Sequence, residues 1–426
     1  MSDTITATVP VNGTCDPAFR QVGDEFRTNF TERGETGAAL CVVVEGRTVI
    51  DLAGGWVGRP GSGRVWQPDM LVNIFSASKG LLAVCLARLF GQGLLDMAAP
   101  VSRYWPEFGA AGKSAITVAQ LLSHQAGVPS VQRRLPPDAM IQQDVMSSAL
   151  AAQEPWWEPG TAHGYHPNTF GFLVAELVLR VTGRSVGTML REEVAGPLGA
   201  DVHIGLADRQ HARVADFLWP GQAPPEVEPQ RLTQAQLIAA VGLGGGLGED
   251  EDDDPKRTGG NTATVDLDKM QVMEYNVYFN PSRLSGAGGF VNTPEWRRAE
   301  IPSANGHATA RGLARIYEAL ARWGHADGIQ VADKAILEQM TVEQAYGTDV
   351  VLHRPSRYGV AFQLTQPERP LGPSPRAFGH FGAGGTLGFC DPDADVAFGY
   401  VIGSMGPRWQ NPRYRALIDA LYASLG

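Results

Sequence analysis

The chain has 426 residues, 43% of them hydrophobic and 19% charged, with a formal net charge of -10 at pH 7. That composition fits a globular protein long enough for two lobes and a sizeable core, and its acidic balance argues against nucleic acid or an anionic membrane as a partner. No apolar run reaches membrane-spanning length, and residues 1–6 lack a basic stretch followed by an apolar one, so no secretory leader and a cytoplasmic location are expected.

After Asp16-Pro17, Phe19, Val22, Phe26 and Phe30 recur at helical spacing and predict an amphipathic helix that ends at Gly34. Residues 38–44 read as a buried strand, turned by Glu45-Gly46-Arg47 into a second strand through 49–52. A helix, a hairpin and a further helix favour an antiparallel sheet covered by helices over a parallel array. Residues 71–75 are strand-like and lead to Ser76, and 81–90 continue as a long apolar helix. Helical segments are predicted at 117–124, 138–153, 169–183 and 186–194, punctuated by Gly127, Gly183, Pro197 and Gly199. His124 reads as a structural histidine at a helix end.

Residues 242–248 are glycine-rich but lack the Gly-Lys-Ser/Thr ending of a phosphate loop. The acidic run 249–254 has no calcium-loop pattern and is expected to be a solvated, mobile loop. Ser303-Ala304-Asn305-Gly306-His307 precedes a helix at 309–322. Strand patterns return at 358–364, 377–381, 387–390 and 396–402, and a closing helix runs through Tyr414, Leu417, Ile418 and Leu421. The expected fold class is α+β, an antiparallel sheet flanked by helices with an inserted, mostly helical domain. Its α/β domain would comprise residues 1–95 and 300–426. The insertion would comprise 96–299, with the acidic flexible loop near 248–262 and the site in the crevice between. Cys15, Cys41, Cys85 and Cys390 lie far apart and read as reduced thiols, three of them in apolar surroundings. Metal-ligand spacing is absent, and neither metal nor cofactor is expected.

Ser76 and Lys79 form Ser-x-x-Lys, a spacing that puts a hydroxyl and an ammonium one turn apart on one helix face. An alcohol is a poor nucleophile until a base or cation beside it helps shed its proton, and a lysine desolvated at the root of an apolar helix can supply either. Serine at a helix start is also an ordinary cap, so the pattern needs partners. Lys79 is the only charge between Asp69 and Arg88, which makes a partner for it necessary. Tyr165 lies in a Gly/Pro-broken loop after Trp156-Trp157. Near two cations its phenol would be held partly as phenolate and act as a proton shuttle; alone it would be loop packing. Gly379 to Gly385 contains His380-Phe381-Gly382 on a late strand, whose glycines either admit a substrate to the backbone or form a bulge and turn.

Ser-x-x-Lys, an aromatic loop with tyrosine, and a C-terminal strand reading His-x-Gly, in that order, resemble the serine β-lactamase-like superfamily over nearly the whole chain. The resemblance is greatest to the family VIII carboxylesterases, relatives of class C β-lactamases and penicillin-binding proteins. It implies that Ser76 is acylated, that Lys79 helps take its proton, and that Tyr165 is a general base that later protonates the leaving alcohol. It also implies an oxyanion hole from the backbone N–H groups of Ser76 and Ala383, and substrate binding by His380, Phe381 and Gly382. Trp156, Trp157 and Phe290 either wall an apolar pocket with Phe381 or pack in the core. Two positions depart from the pattern: Pro167 stands where Tyr-x-Asn wants asparagine, with Asn168 one place late, and His380-Phe381 replaces the Lys-Thr of Lys-Thr-Gly. Loss of that cation and hydroxyl shifts the expected substrate from β-lactams to small neutral esters. Amide or lactam hydrolysis, acyl transfer, and a penicillin-binding-like protein that acylates without turnover remain open alternatives. The oligomeric state is left open.

Overall fold

The computed structural model describes residues 9–58, 61, 63–219, 267–281, 290–407 and 409–426. The glycine-rich stretch 242–248 and the acidic run 249–254 lie outside these residues, as does the start of the chain, 1–8.

The predicted hairpin is formed by β2 (Gly37–Val44) and β3 (Arg47–Gly55). An edge strand that the sequence did not reveal, β1 (Val11–Cys15), pairs with β3. Six further strands come from the last part of the chain: β4 (Ala345–Thr348), β5 (Pro355–Tyr358), β6 (Gln363–Leu364), β7 (Phe378–Phe381), β8 (Leu387–Asp391) and β9 (Val396–Ile402). Together they make a nine-stranded sheet in the order β1-β3-β2-β9-β8-β7-β6-β5-β4, with antiparallel neighbours throughout. The strand expected at 358–364 is in fact two, β5 and β6, because the chain reverses between them with Ala361 at φ 65. β2 and β9 pair along the whole of β9, Val44 with Val396 through Ala38 with Ile402, and so join the two ends of the chain at the sheet's centre. Both are apolar and almost completely buried, as strands covered on two faces must be.

Seven helices carry most of the remaining structure: α1 (Arg20–Thr31), α2 (Ser78–Gly91), α3 (Gln143–Ala152), α4 (Thr169–Thr182), α5 (Leu267–Phe279), α6 (Ala310–Ala321) and α7 (Pro412–Leu425). Neighbouring residues of β9 show the two covers. Tyr400 turns toward α1, whose Asn29 Nδ2 donates to the phenol oxygen at 3.4 Å. Gly399 turns the other way, where a Cβ would overlap the Ala310 carbonyl oxygen, so glycine is what lets α6 lie against the sheet. α2 is apolar around its whole circumference; only Arg88 reaches outward, to Glu193 at 2.8 Å. Among the described residues, no helix is long and apolar enough to cross a membrane. All four cysteines are free, with Cys41, Cys85 and Cys390 buried.

Candidate active site

Of the expected strand 71–75, Leu71 makes a single parallel bridge to Val214, and Val72–Asn73 pairs antiparallel to His307–Ala308, which also pairs with Val202–His203. This small sheet brings the chain just after Ser303 alongside the segment that leads to Ser76. The backbone then turns sharply: Phe75 takes φ 49, and Phe75–Ala77 forms one 3₁₀ turn before α2 starts at Ser78. A left-handed phenylalanine costs of order 1–3 kcal/mol and persists only when its surroundings over-determine it. Ser78 supplies that constraint, its Oγ donating to the Phe75 carbonyl and accepting from the Gly306 N–H at 2.9 Å. Ser76 is thereby presented half-buried at the mouth of α2.

Lys79 is completely buried. Its Nζ lies 3.3 Å from Ser76 Oγ, 2.7 Å from the Pro167 carbonyl oxygen and 3.1 Å from the Ser303 carbonyl oxygen. These carbonyls are the partners that the lone lysine required. Burial alone drives its pKa well below the ordinary lysine value of 10.5. As a neutral amine, Lys79 has two N–H bonds for the two carbonyls and one lone pair left for Ser76. Pro167 therefore serves the lysine through its backbone, while the Asn168 amide turns away to donate to the Val277 carbonyl at 3.3 Å.

Tyr165 is buried over Lys79, whose Nζ is 4.9 Å from the ring centroid. The expected phenolate is not what this environment favours. Burial raises the phenol's pKa above its usual 10.0, and the hydrogen bond with Ser76 and the charge of Arg369 only partly oppose it. The loop is held by backbone contacts that the sequence did not disclose. The Tyr165 N–H donates to both carboxylate oxygens of the buried Asp349 at 3.0 Å, and the Asp349 carboxylate also accepts from the N–H groups of Val351 and Leu352 and from Ser356 Oγ, each at 2.9 Å. His124 is a structural member of this arrangement: its Nδ1 accepts from the His166 N–H at 3.2 Å, and its carbonyl from the Gly164 N–H at 3.0 Å. Burial pushes His124 well below the ordinary histidine value.

The strand β7 closes the other side. A Cβ at Gly382 would overlap the Ile74 carbonyl oxygen, so the close approach of this strand to the Ser76 turn requires glycine, and Ala383 follows immediately. His380 is buried with its ring centroid 6.3 Å from that of Tyr165, and its Nδ1 donates to the Phe381 carbonyl at 2.8 Å. Burial holds its imidazole well below the usual value and therefore neutral, so it does not replace a lysine's permanent charge. The Phe381 ring lies under the Arg369 guanidinium, 3.3 Å from it, and against Tyr414. Trp156 is a packing residue and not an exposed wall. It is buried with Met273, Val277 and Val351, and its Nε1 donates to the Ser130 carbonyl at 3.0 Å. Trp157 is packed on the same cluster, and Phe290 packs on Trp296 with centroids 5.4 Å apart.

A serine, a desolvated lysine and a tyrosine converging at the root of a buried helix, beside an antiparallel sheet, define a protein of the β-lactamase and transpeptidase type. The Beta-lactamase family model matches residues 24–422, and the chain belongs to that family. Among its relatives, Esterase/beta-lactamase LipL of Mycobacterium tuberculosis is 34% identical over 394 residues, covering 92% of this chain and 82% of that one. The crystal structure of a family VIII carboxylesterase is similar with a TM-score of 0.78 at 35% identity, over 97% of this chain and 100% of the other. A penicillin-binding protein homolog from Caulobacter crescentus reaches 0.81 at 37% identity, over 97% and 100%.

Proposed function

We propose that the protein is a carboxylesterase that cleaves small esters through an acyl-enzyme on Ser76. The observation that carries this reading is the Lys79 amine, buried with no carboxylate partner among the described residues and tied to two carbonyls, with Ser76 Oγ as its third hydrogen-bond partner. In the proposed cycle, Lys79 accepts the Ser76 proton as the oxygen attacks the ester carbonyl. The backbone N–H groups of Ser76 and Ala383 stabilise the resulting oxyanion. The C–O bond to the alcohol then breaks, the neutral Tyr165 phenol donates a proton to the departing oxygen, and the proton held on Lys79 restores the phenol. Water attacks the acyl-enzyme through the same groups in reverse, releasing the acid and regenerating Ser76. The esterase names of two relatives, LipL and the family VIII enzyme, agree with this chemistry.

The test is a fluorophosphonate probe followed by peptide mapping, together with turnover of a p-nitrophenyl ester. Label on the Ser76 peptide with steady turnover is expected. Label on another residue would overturn the assignment of the nucleophile. The similarity to a penicillin-binding protein homolog favours one second reading, a protein that acylates without release. A single burst in place of steady turnover would select it, and acyl transfer to added alcohols or amines would select an acyltransferase.

A further inference from the structure

Two arginines that share Trp409, one of them lying on Phe381, have no acidic partner among the described residues. Arg354 and Arg369 flank the indole of Trp409, with guanidinium carbons 4.3 and 5.3 Å from its ring centroid. Arg369 donates through Nε to the Tyr414 hydroxyl at 2.8 Å, and Arg354 Nε is buried with no hydrogen-bond partner among the described residues. The nearby carboxylates are otherwise engaged. Asp349 receives the backbone N–H groups and Ser356 described above, and Glu368 accepts from the Tyr346 hydroxyl at 3.1 Å. Like charges gathered around one aromatic ring are only partly compensated by its π-face, and a buried guanidinium N–H without an acceptor, as at Arg354 Nε, is costly. An incoming anion is the group that would satisfy both.

Their position relates this charge to the substrate. Arg369 lies 3.3 Å above the Phe381 ring, between His380 and Gly382 on the strand that meets the Ser76 turn. Its charge is felt at both Tyr165 and His380, and Arg354 is itself held below the ordinary arginine value by burial and by Arg369. Tyr165 is the group assigned to the departing alcohol, so the positive charge belongs to the alcohol half of the ester. The geometry points to a site for esters whose alcohol portion carries a carboxylate, received by Arg354 and Arg369. This inference rests on the esterase reading. It also revises the expectation that the chain lost its anion-recognising charge with the lysine of Lys-Thr-Gly: the charge enters from the residue just before β5 and from the loop after β6.

The experiment compares 3-acetoxybenzoate with 3-acetoxybenzamide, which share an acyl group and leaving oxygen but differ in one negative charge. The wild-type enzyme is expected to favour the benzoate by about 10-fold or more in kcat/KM, chiefly through KM, with the preference shrinking as salt is raised. Arg354→Gln and Arg369→Gln should each reduce that ratio, and the double variant should bring it toward one. Because Arg369 also packs on Phe381, Arg354→Gln is the variant that tests charge without disturbing that contact. Turnover of the amide without preference for the benzoate, or a preference that survives in the double variant, overturns the anion site and leaves the esterase standing. Failure to hydrolyse either ester, with no label on Ser76, removes the esterase and the anion site with it.

Discussion

Lys79 and Tyr165 lie against each other in the same buried pocket, and desolvation moves their proton affinities in opposite directions. The amine is favoured neutral and the phenol is favoured protonated, which separates acceptor from donor before any substrate arrives. The sign for activity follows. A neutral Lys79 is needed, so the rate is lost as pH falls through its depressed pKa and is already present where an exposed lysine, near 10.5, would still be charged. In the kcat/KM profile of the wild type, the acid limb should therefore lie well below that value. Tyr165→Phe should lower kcat by about 10²- to 10⁴-fold, the usual worth of a positioned acid or base, while keeping that limb. Lys79→Ala should reduce kcat comparably and abolish the limb. An acid limb that persists in Lys79→Ala would show another group to be the base. His380→Ala should fall far less than Ser76→Ala, since the imidazole is neutral and turned into its own strand's Phe381 carbonyl.

At the scale of elements, the site depends on one loop and one strand held from outside. Asp349 anchors the Tyr165 loop across 184 positions of sequence by accepting the Tyr165 N–H. In Asp349→Asn one acceptor oxygen becomes a donor facing backbone N–H groups or Ser356, so the loop should shift. Small displacements of a reacting group are costly; a fall in kcat of about 10- to 100-fold with KM nearly unchanged is expected. A comparable change in KM alone would make Asp349 a substrate-side residue and not a positioning one. Gly382→Ala should cost about 1–3 kcal/mol in urea unfolding because its methyl overlaps the Ile74 carbonyl. What was legible in the sequence follows the same division. Ser76, Lys79 and Tyr165 have side chains with recognisable chemistry and spacing, and β2, β8 and β9 are apolar runs. The Pro167 and Ser303 carbonyls that ligate Lys79 are backbone groups, which no side-chain pattern marks, and Asp349 gives no local hint of the loop it holds. The edge strands β1 and β4 are too exposed to carry a burial pattern, and only their pairing defines them.

The whole molecule is closed by joining its two ends, and the joint is ionic as well as apolar. Arg413, at the start of α7, is buried with Glu35 just beyond α1, Nη1 to Oε2 at 3.1 Å. Its remaining donors reach the carbonyls of Arg33 at 2.9 Å and Gly34 at 2.6 Å, and the Tyr400 hydroxyl of β9 donates to Glu35 at 3.0 Å. Buried pairs contribute little net stability against apolar substitutes, but removing one partner strands the other charge. Burial already raises the Glu35 pKa, and Arg413 is the largest influence opposing that rise. Arg413→Met should therefore destabilise the fold by about 3–5 kcal/mol in urea unfolding near neutral pH. The sign of its pH dependence is fixed by the same carboxyl. With the guanidinium gone, the folded-state pKa of Glu35 rises further above its unfolded value. The folded variant then binds a proton that the unfolded chain releases, so the loss is smallest in mild acid and grows as pH rises through that window. Adding Glu35→Gln should recover most of the loss at neutral pH by removing the stranded charge, while Ser76 remains reactive toward a fluorophosphonate. Equal destabilisation at both pH values, with no recovery in the double variant, would show that Arg413 acts by packing and backbone contacts, and that the ion pair is not what holds the ends together.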